Sequence, residues 1–276
     1  MKIVSFNCNG IRARLHQLTA LGDKTGEQTN DILCLQEIKV HDSQFPTEDV
    51  LNCGFKDVKT HGQKGYHGVA TLSKTEIFHS QHGYEHDDEE SQRRFLMTQH
   101  TLPNGELLTV VNGYFPQGDS LKHETKFPAK QKFYEDLMDW LDKQDKQSHI
   151  VVLGDFNISP EDCDIGIGPV NAKRWLKTGK CSFQPIEREW FKRLLDWGFQ
   201  DSYRIKRPGD NSEFSWFDYR SKGFEDTPKR GLRIDGVLIS ESLVPYLTDV
   251  GIDYDIRGMD KPSDHAPIWA SFDFDK

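Results

Sequence analysis

The hydrophobic segments of this 276-residue chain are short, and that limits its fold more than any other feature. Residues 2–6, 32–35, 68–72, 95–98, 107–111 and 150–153 are rich in apolar or β-branched side chains and bounded by polar ones. Runs of this kind read as interior strands. Further strands are expected near 231–240, around 250–254 and over 266–272, where Ile268, Ala270 and Phe272 alternate with Trp269 and Ser271. Between 124 and 146 the period changes: Phe127, Tyr134, Leu137, Met138 and Leu141 recur at the three-and-four spacing of an amphipathic helix. A second such helix is predicted over 187–197, with Trp190, Phe191, Leu194, Leu195 and Trp197 facing inward, and residues 15–26 are a further candidate. Strands dominate and no repeat or linker divides the chain. It suits two packed sheets with helices on their outer faces, in one domain over 1–276, better than a regular βαβ wheel.

Composition narrows the setting. No stretch approaches the roughly 18 apolar residues of a membrane span, and Met1 to Phe6 runs at once into polar Asn7-Cys8-Asn9, so no N-terminal signal and no membrane partner are expected. A cytoplasmic protein follows as the expectation. Cys8, Cys34, Cys53, Cys163 and Cys181 are odd in number and lack a C-x-x-C pair, which argues against a disulfide framework or a structural zinc site. The net charge of -9 argues at first against a polyanionic partner. That average hides an asymmetry, because residues 171–233 hold 15 Lys and Arg against 9 Asp and Glu, whereas the remainder holds 20 against 35.

Five strand-like runs end in polar groups: Ser5-Phe6-Asn7, Leu35-Gln36-Glu37, Val111-Asn112-Gly113-Tyr114, Gly154-Asp155-Phe156-Asn157 and Ser263-Asp264-His265 near the final strand. Each has a plain structural reading, such as Asn7 capping a turn at Gly10, Glu37 pairing with Lys39, or Asp155 forming an Asx turn. Together they converge, since charge at the rim of a core is costly unless it is paired or metal-bound. Oxygen donors from Glu37, with Asn7 or Asp264, favour Mg²⁺, with Mn²⁺ able to substitute. His265 follows an acid, and Asp235 is a second acid able to fix its tautomer. No phosphate-binding P-loop and no serine nucleophile elbow is present. The residues point to metal-dependent hydrolysis of a phosphoester.

Along essentially its full length the chain resembles the bacterial exonuclease III group of the exonuclease/endonuclease/phosphatase superfamily. The matching segments include Met1 to Asn7 with Asn9-Gly10, Leu35-Gln-Glu37, Asn112-Gly-Tyr-Phe-Pro-Gln117, Gly154-Asp-Phe-Asn-Ile-Ser-Pro160, Arg174-Trp175, Phe214-Ser-Trp-Phe-Asp-Tyr-Arg220, Gly231-Leu-Arg-Ile-Asp235 and Lys261-Pro-Ser-Asp-His-Ala-Pro267. The resemblance implies an α/β fold, a four-layered sandwich of two facing mixed β-sheets flanked by helices. It also implies Mg²⁺-dependent action on double-stranded DNA: incision 5′ of an abasic sugar, 3′→5′ exonuclease action and removal of 3′ blocks, with no obligate protein partner. By motif Glu37, Asn7 and Asp264 are the metal-side residues, and Asp155, Asn157, Tyr114, His265 and Asp235 the catalytic ones. Gln117, Arg174, Lys177 and Arg220 are expected to contact DNA, and Trp216, Phe217 and Leu232 to enclose the base-free sugar. Departures are few: Ile38 and Phe156 stand where the family usually has Thr and Met, and 226–229 is a small insertion-like run. A phosphatase or phospholipid phosphodiesterase of the same fold is the alternative.

Overall fold

The computed structural model describes residues 1–22 and 30–275. Two six-stranded sheets face one another. The first contains β1 (Lys2–Asn7), β2 (Ile32–Gln36), β3 (Asp57–His61), β4 (Val69–Ser73), β11 (Leu247–Ile252) and β12 (Ile268–Phe272), in the order β11-β12-β1-β2-β4-β3. The second contains β5 (His79–His82), β6 (Phe95–Thr101), β7 (Leu107–Tyr114), β8 (His149–Asp155), β9 (Phe199–Asp201) and β10 (Asp235–Ser240), in the order β5-β6-β7-β8-β10-β9. β1 and β2 are parallel, as are β7 and β8, and their other neighbours are antiparallel, so both sheets are mixed. Helices cover the outer faces, chiefly α1 (Leu15–Gly22) and α2 (Thr47–Asn52) on the first sheet and α3 (Lys126–Leu141) and α5 (Pro185–Trp197) on the second. This is the expected layered sandwich. Residues 23–26 of the anticipated first helix lie outside the described residues.

The alternation of each strand divides its side chains between two cores. Ile3, Ile32, Cys34, Leu108, Val110, Val151, Leu153, Val237 and Ile239 meet between the sheets. Their neighbours Val4, Phe6, Leu33 and Leu35 pack outward beneath the helices of one face, and Val111, Val152 and Leu238 beneath those of the other. Continuing the inward rows along β1, β2, β7 and β8 replaces hydrocarbon by Asn7, Gln36, Asn112 and Asp155, all buried. The inter-sheet layer is therefore apolar at one end and polar at the other.

That polar end is cross-linked. Gln36 donates to the Asn112 amide oxygen at 2.7 Å, and the Asn112 amide nitrogen donates to the Leu35 and Ala70 carbonyls at 3.1 and 2.9 Å, joining β7 to β2 and β4 of the opposite sheet. Short edge strands β3, β5 and β9, and helices α2, α4 (Pro169–Thr178), α6 (Ser202–Lys206) and α7 (Tyr254–Arg257), were not anticipated by periodicity. Of these, α4 lies among the wall segments of the site, starting at Pro169 and ending on Gly179 in the left-handed region.

Truncating Asn112 removes the shorter of the two acceptors of the buried Gln36 amide nitrogen, leaving only the Cys34 carbonyl at 3.3 Å. Asn112→Ala is expected to lower unfolding free energy by about 1–3 kcal/mol; equilibrium urea unfolding checks this, and an unchanged midpoint would show that the cross-sheet link contributes nothing.

Candidate active site

The strand ends named by the sequence open into one cavity of about 260 Å³, lined by Glu37, Tyr114, Gln117, Asp155, Asn157, Trp175, Lys180, Ser182, Trp216, Ile234, Asp264 and His265. Asn7 lies fully buried beneath it, and its amide nitrogen spans the two sheets by donating to Glu37 Oε1 at 2.9 Å and to Asp155 Oδ2 at 3.0 Å. The Asn7 oxygen accepts from the Asn9 backbone at 3.1 Å. Three wall residues hold positive-φ backbone without being glycine: Glu37 at φ 52, Asn157 at φ 53 and Ser182 at φ 132. Such conformations persist only where the surroundings over-determine them.

The acids here are held in different states by their surroundings. Burial pushes the Glu37 carboxyl up, but the charge of Lys39 and hydrogen bonds from Asn7, Lys39 and Tyr114 outweigh it and hold the group at about 2. The pairing with Lys39 foreseen from the sequence exists, at 2.8 Å. Asp155 is pushed the other way, to about 7, by burial and by the nearby Asp235 and Glu37, against the opposing charge of His265. Its Oδ1 accepts from the Asn157 backbone at 3.0 Å, which is the anticipated Asx turn. A carboxylate near neutrality is suited to taking a proton.

His265 presents Nδ1 to Asp235 Oδ2 at 2.8 Å and Nε2 toward Asp155 Oδ2 at 3.8 Å. Burial lowers the imidazole, yet the charges of Asp235 and Asp155 more than reverse this and raise it to about 10. The Ser263 hydroxyl fixes the turn by donating to the Asn7 carbonyl at 2.7 Å and accepting from the His265 backbone at 3.2 Å. Asp264 ties the opposite wall: it accepts from Trp216 Nε1 at 3.0 Å and from the Asn9 amide at 2.8 Å. Tyr114 is held from behind by Arg94, whose guanidinium lies 4.4 Å from the ring centre and donates to the Tyr114 carbonyl at 3.0 Å.

Two groupings of donors are suited to a cation. Asp155, Asp235 and His265 bring one ligand atom each within 4.8 Å of one another. Glu37 and Asp264 offer hard carboxylate oxygens to the same cavity, and the ammonium already drawn to Glu37 shows that its carboxylate attracts positive charge. Both sets fit an oxygen-seeking divalent ion better than a soft metal.

Other expected residues are placed differently. Arg174 lines an adjoining cavity of about 130 Å³, shared with Trp175, Trp216 and Arg230. Lys177 and Arg220 are exposed but line neither cavity. Phe217 and Leu232, expected to enclose a ligand, line neither cavity: Phe217 is fully buried against Phe224 and Tyr254, and Leu232 belongs to the cluster with Trp175, Phe183 and Ile234 against which Trp216 packs. Much of the basic segment is also spent internally, with Arg233 buried between Asp164 and Asp201 and Arg188 paired to Asp162. Wall residues that sequence reasoning did not assign are Trp175, Lys180, Ser182 and Ile234. The Arg174-Trp175 motif was the available signal, and Lys180 stands 3.7 Å over the Trp175 ring.

With this geometry in view, comparison with known proteins is decisive: residues 4–265 match the model of the Endonuclease/Exonuclease/phosphatase family. The chain belongs to that family. It is 56% identical over 273 residues to the exodeoxyribonuclease III of Haemophilus influenzae, covering 99% of this chain and 100% of that one. Among solved structures it is similar to a 3′-5′ exonuclease from Neisseria meningitidis, with a TM-score of 0.87, 34% identity and coverage of 99% and 100%. An AP endonuclease from Archaeoglobus fulgidus gives a TM-score of 0.86 at 32% identity, covering 99% of each chain. This member of the family thus shares its layered fold with DNase I-like enzymes.

The raised imidazole has a stability consequence with a definite sign. The charged His265–Asp235 pair contributes fully below the ordinary histidine value near 6.5, and the contribution is lost as pH rises through about 10. In an NMR titration the His265 ring is expected to remain protonated at pH 8 and to titrate at distinctly lower pH in Asp235→Asn; a wild-type midpoint near 6.5 would contradict the pairing.

Proposed function

We propose that this chain is a DNA repair nuclease that hydrolyses phosphodiester bonds in duplex DNA, cutting on the 5′ side of abasic sugars, trimming 3′ ends and clearing 3′ blocks. The observation that carries the reading is the meeting of Asp155, set to accept a proton, with a charged His265 and the Glu37 carboxylate in one aromatic-walled cavity. The named activities of the related exonuclease and AP endonuclease support it.

Water held by Asp155 loses its proton to that carboxylate as its oxygen bonds to phosphorus. The bond from phosphorus to the 3′ oxygen breaks, and the leaving oxygen takes a proton from solvent water to end as a hydroxyl. Charge gathers on the phosphoryl oxygens, where the His265 Nε2–H is a preorganised donor, since Nδ1 is committed to Asp235. Asn157 is anchored by donation to the Phe115 carbonyl at 2.9 Å, leaving its second amide hydrogen for the phosphate side. Tyr114 lies against Glu37, helping to keep that carboxylate ionised.

We assign Mg²⁺, replaceable by Mn²⁺, to the Glu37 side with Asp264, where Asn7 holds the Glu37 carboxylate from beneath. The alternative set would require His265 to give up Asp235 or to use its remaining nitrogen beside Asp155. A bound ion would supply Lewis-acid stabilisation of the phosphoryl charge. Trp216 and Trp175 form the wall we assign to the base-free sugar. A normal nucleotide carries a base that this space excludes, and extrusion costs least where no base is stacked. Gln117, Lys180 and Arg174 are exposed at the two cavities, Lys177 and Arg220 are exposed outside them, and all five are suited to the flanking backbone. A duplex with abasic or blocked 3′ sites is the partner we assign, and the cytoplasm its place of action.

The test is incision of an end-labelled abasic duplex beside intact duplex, a phospholipid diester and inositol phosphates. The expected result is one cut 5′ of the abasic sugar leaving a 3′ hydroxyl, abolished by EDTA and restored by Mg²⁺ or Mn²⁺. Full activity in metal-free buffer, or faster hydrolysis of lipid or inositol substrates, would overturn the assignment.

A further inference from the structure

Behind the cavity a single ammonium group ties three of its wall segments together. Lys130 on α3 is fully buried, and its Nζ donates to the Asn157 carbonyl at 2.9 Å, the Gln117 carbonyl at 3.3 Å and Glu187 Oε1 at 2.5 Å. An ammonium has three N–H donors, so none remains for a substrate. The other Glu187 oxygen accepts from the Ser182 and Gln184 backbones at 2.9 and 2.8 Å. The segments that meet here follow β7, follow β8 and enter α5, and each presents one wall residue: Gln117, Asn157 and Ser182. The chain closes tightly over the lysine stem, where a Cβ at Gly118 would come within 3.0 Å of Lys130 Cδ.

A buried ion pair is a poor way to hold α3 against α5, because its desolvation cost rivals its attraction and apolar side chains would pack those helices as well. What it adds is a fixed point for two carbonyls outside any helix or strand. Asn157 has particular need of one, since its left-handed backbone must be held from outside. We infer that Lys130 is a positioning residue for the reaction, acting through the backbone of Asn157 and Gln117, with Glu187 orienting its charge. The inference rests on the phosphodiesterase reading above.

The test compares wild type, Lys130→Met/Glu187→Gln and Lys130→Arg in single-turnover incision of an abasic duplex, with DNA affinity measured alongside and all rates corrected for folded fraction by circular dichroism. The double variant leaves no unpaired buried ion, and its amide oxygen still serves the Ser182 and Gln184 backbones. Its rate is expected to fall about 100-fold, as misplacement of reacting groups by an ångström does, with affinity changed less than about threefold. Lys130→Arg keeps the ion pair but carries its donors in a rigid fork that cannot serve both carbonyls, so it is expected to lose rate in the same way. A folded double variant cleaving at the wild-type rate would overturn the inference. If the double variant does not fold, an unchanged rate in Lys130→Arg overturns it and a slowed one at normal affinity upholds it. Wild type that fails to cleave DNA would instead remove the function on which the inference stands.

Discussion

The site depends on one contact across the inter-sheet layer: the Asn7 amide, fully buried, donating to Glu37 from its own sheet and to Asp155 from the other. Each carboxylate belongs to a separate six-stranded sheet, so their separation is set by how those sheets pack. The apolar rows below set the spacing, and the Gln36–Asn112 bridge locks the height at which hydrocarbon gives way to polar groups. Nothing in the catalytic arrangement is independent of that packing. A slip of one residue in β1 or β8 would turn Asn7 or Asp155 out toward the helices.

The same layer explains how neighbouring acids take different roles. Glu37 lies at the open rim beside Lys39 and stays ionised, whereas Asp155 lies deeper, is crowded by two further acids and is pushed toward neutrality. His265 takes its charge from Asp235, an inward residue at the first position of β10. In the proposed reaction one acid remains a charge for a cation or phosphate to meet, and one is the proton acceptor. Environment decides, as the residue types are nearly the same.

The legible part of the fold was the part governed by alternation. Strand residues such as Ile3, Val151 and Ile268 meet between the sheets, and the helix stripe of Tyr134, Leu137 and Leu141 is buried on the outer face, because periodicity reports which side chains leave water. Edge strands carried no such signal: β5 is His-Ser-Gln-His, specified by pairing with β6 and not by burial. Helix α4 was hidden because only Trp175 of its residues is buried. In the site, residues at strand ends were readable since an interior strand ending in a charge is an anomaly with a cause. Phe217 and Leu232 line neither cavity, which the sequence does not report, because an aromatic or aliphatic residue beside Trp216 looks the same whether it lines a cavity or packs behind one. Lys130 was invisible for the opposite reason, as a lysine on an amphipathic helix reads as a solvated one.

The proposed chemistry requires Asn7 and Asp155 to act as one unit across the two sheets. A double-mutant cycle of Asn7→Ala and Asp155→Asn, read in the single-turnover rate on an abasic duplex, measures that coupling. Strong non-additivity is expected, with the double variant losing about as much rate as the worse single variant, as groups acting together do. Losses that simply multiply would contradict it, leaving Asn7 as a residue of the core and the two sheets as independent contributors to the chemistry.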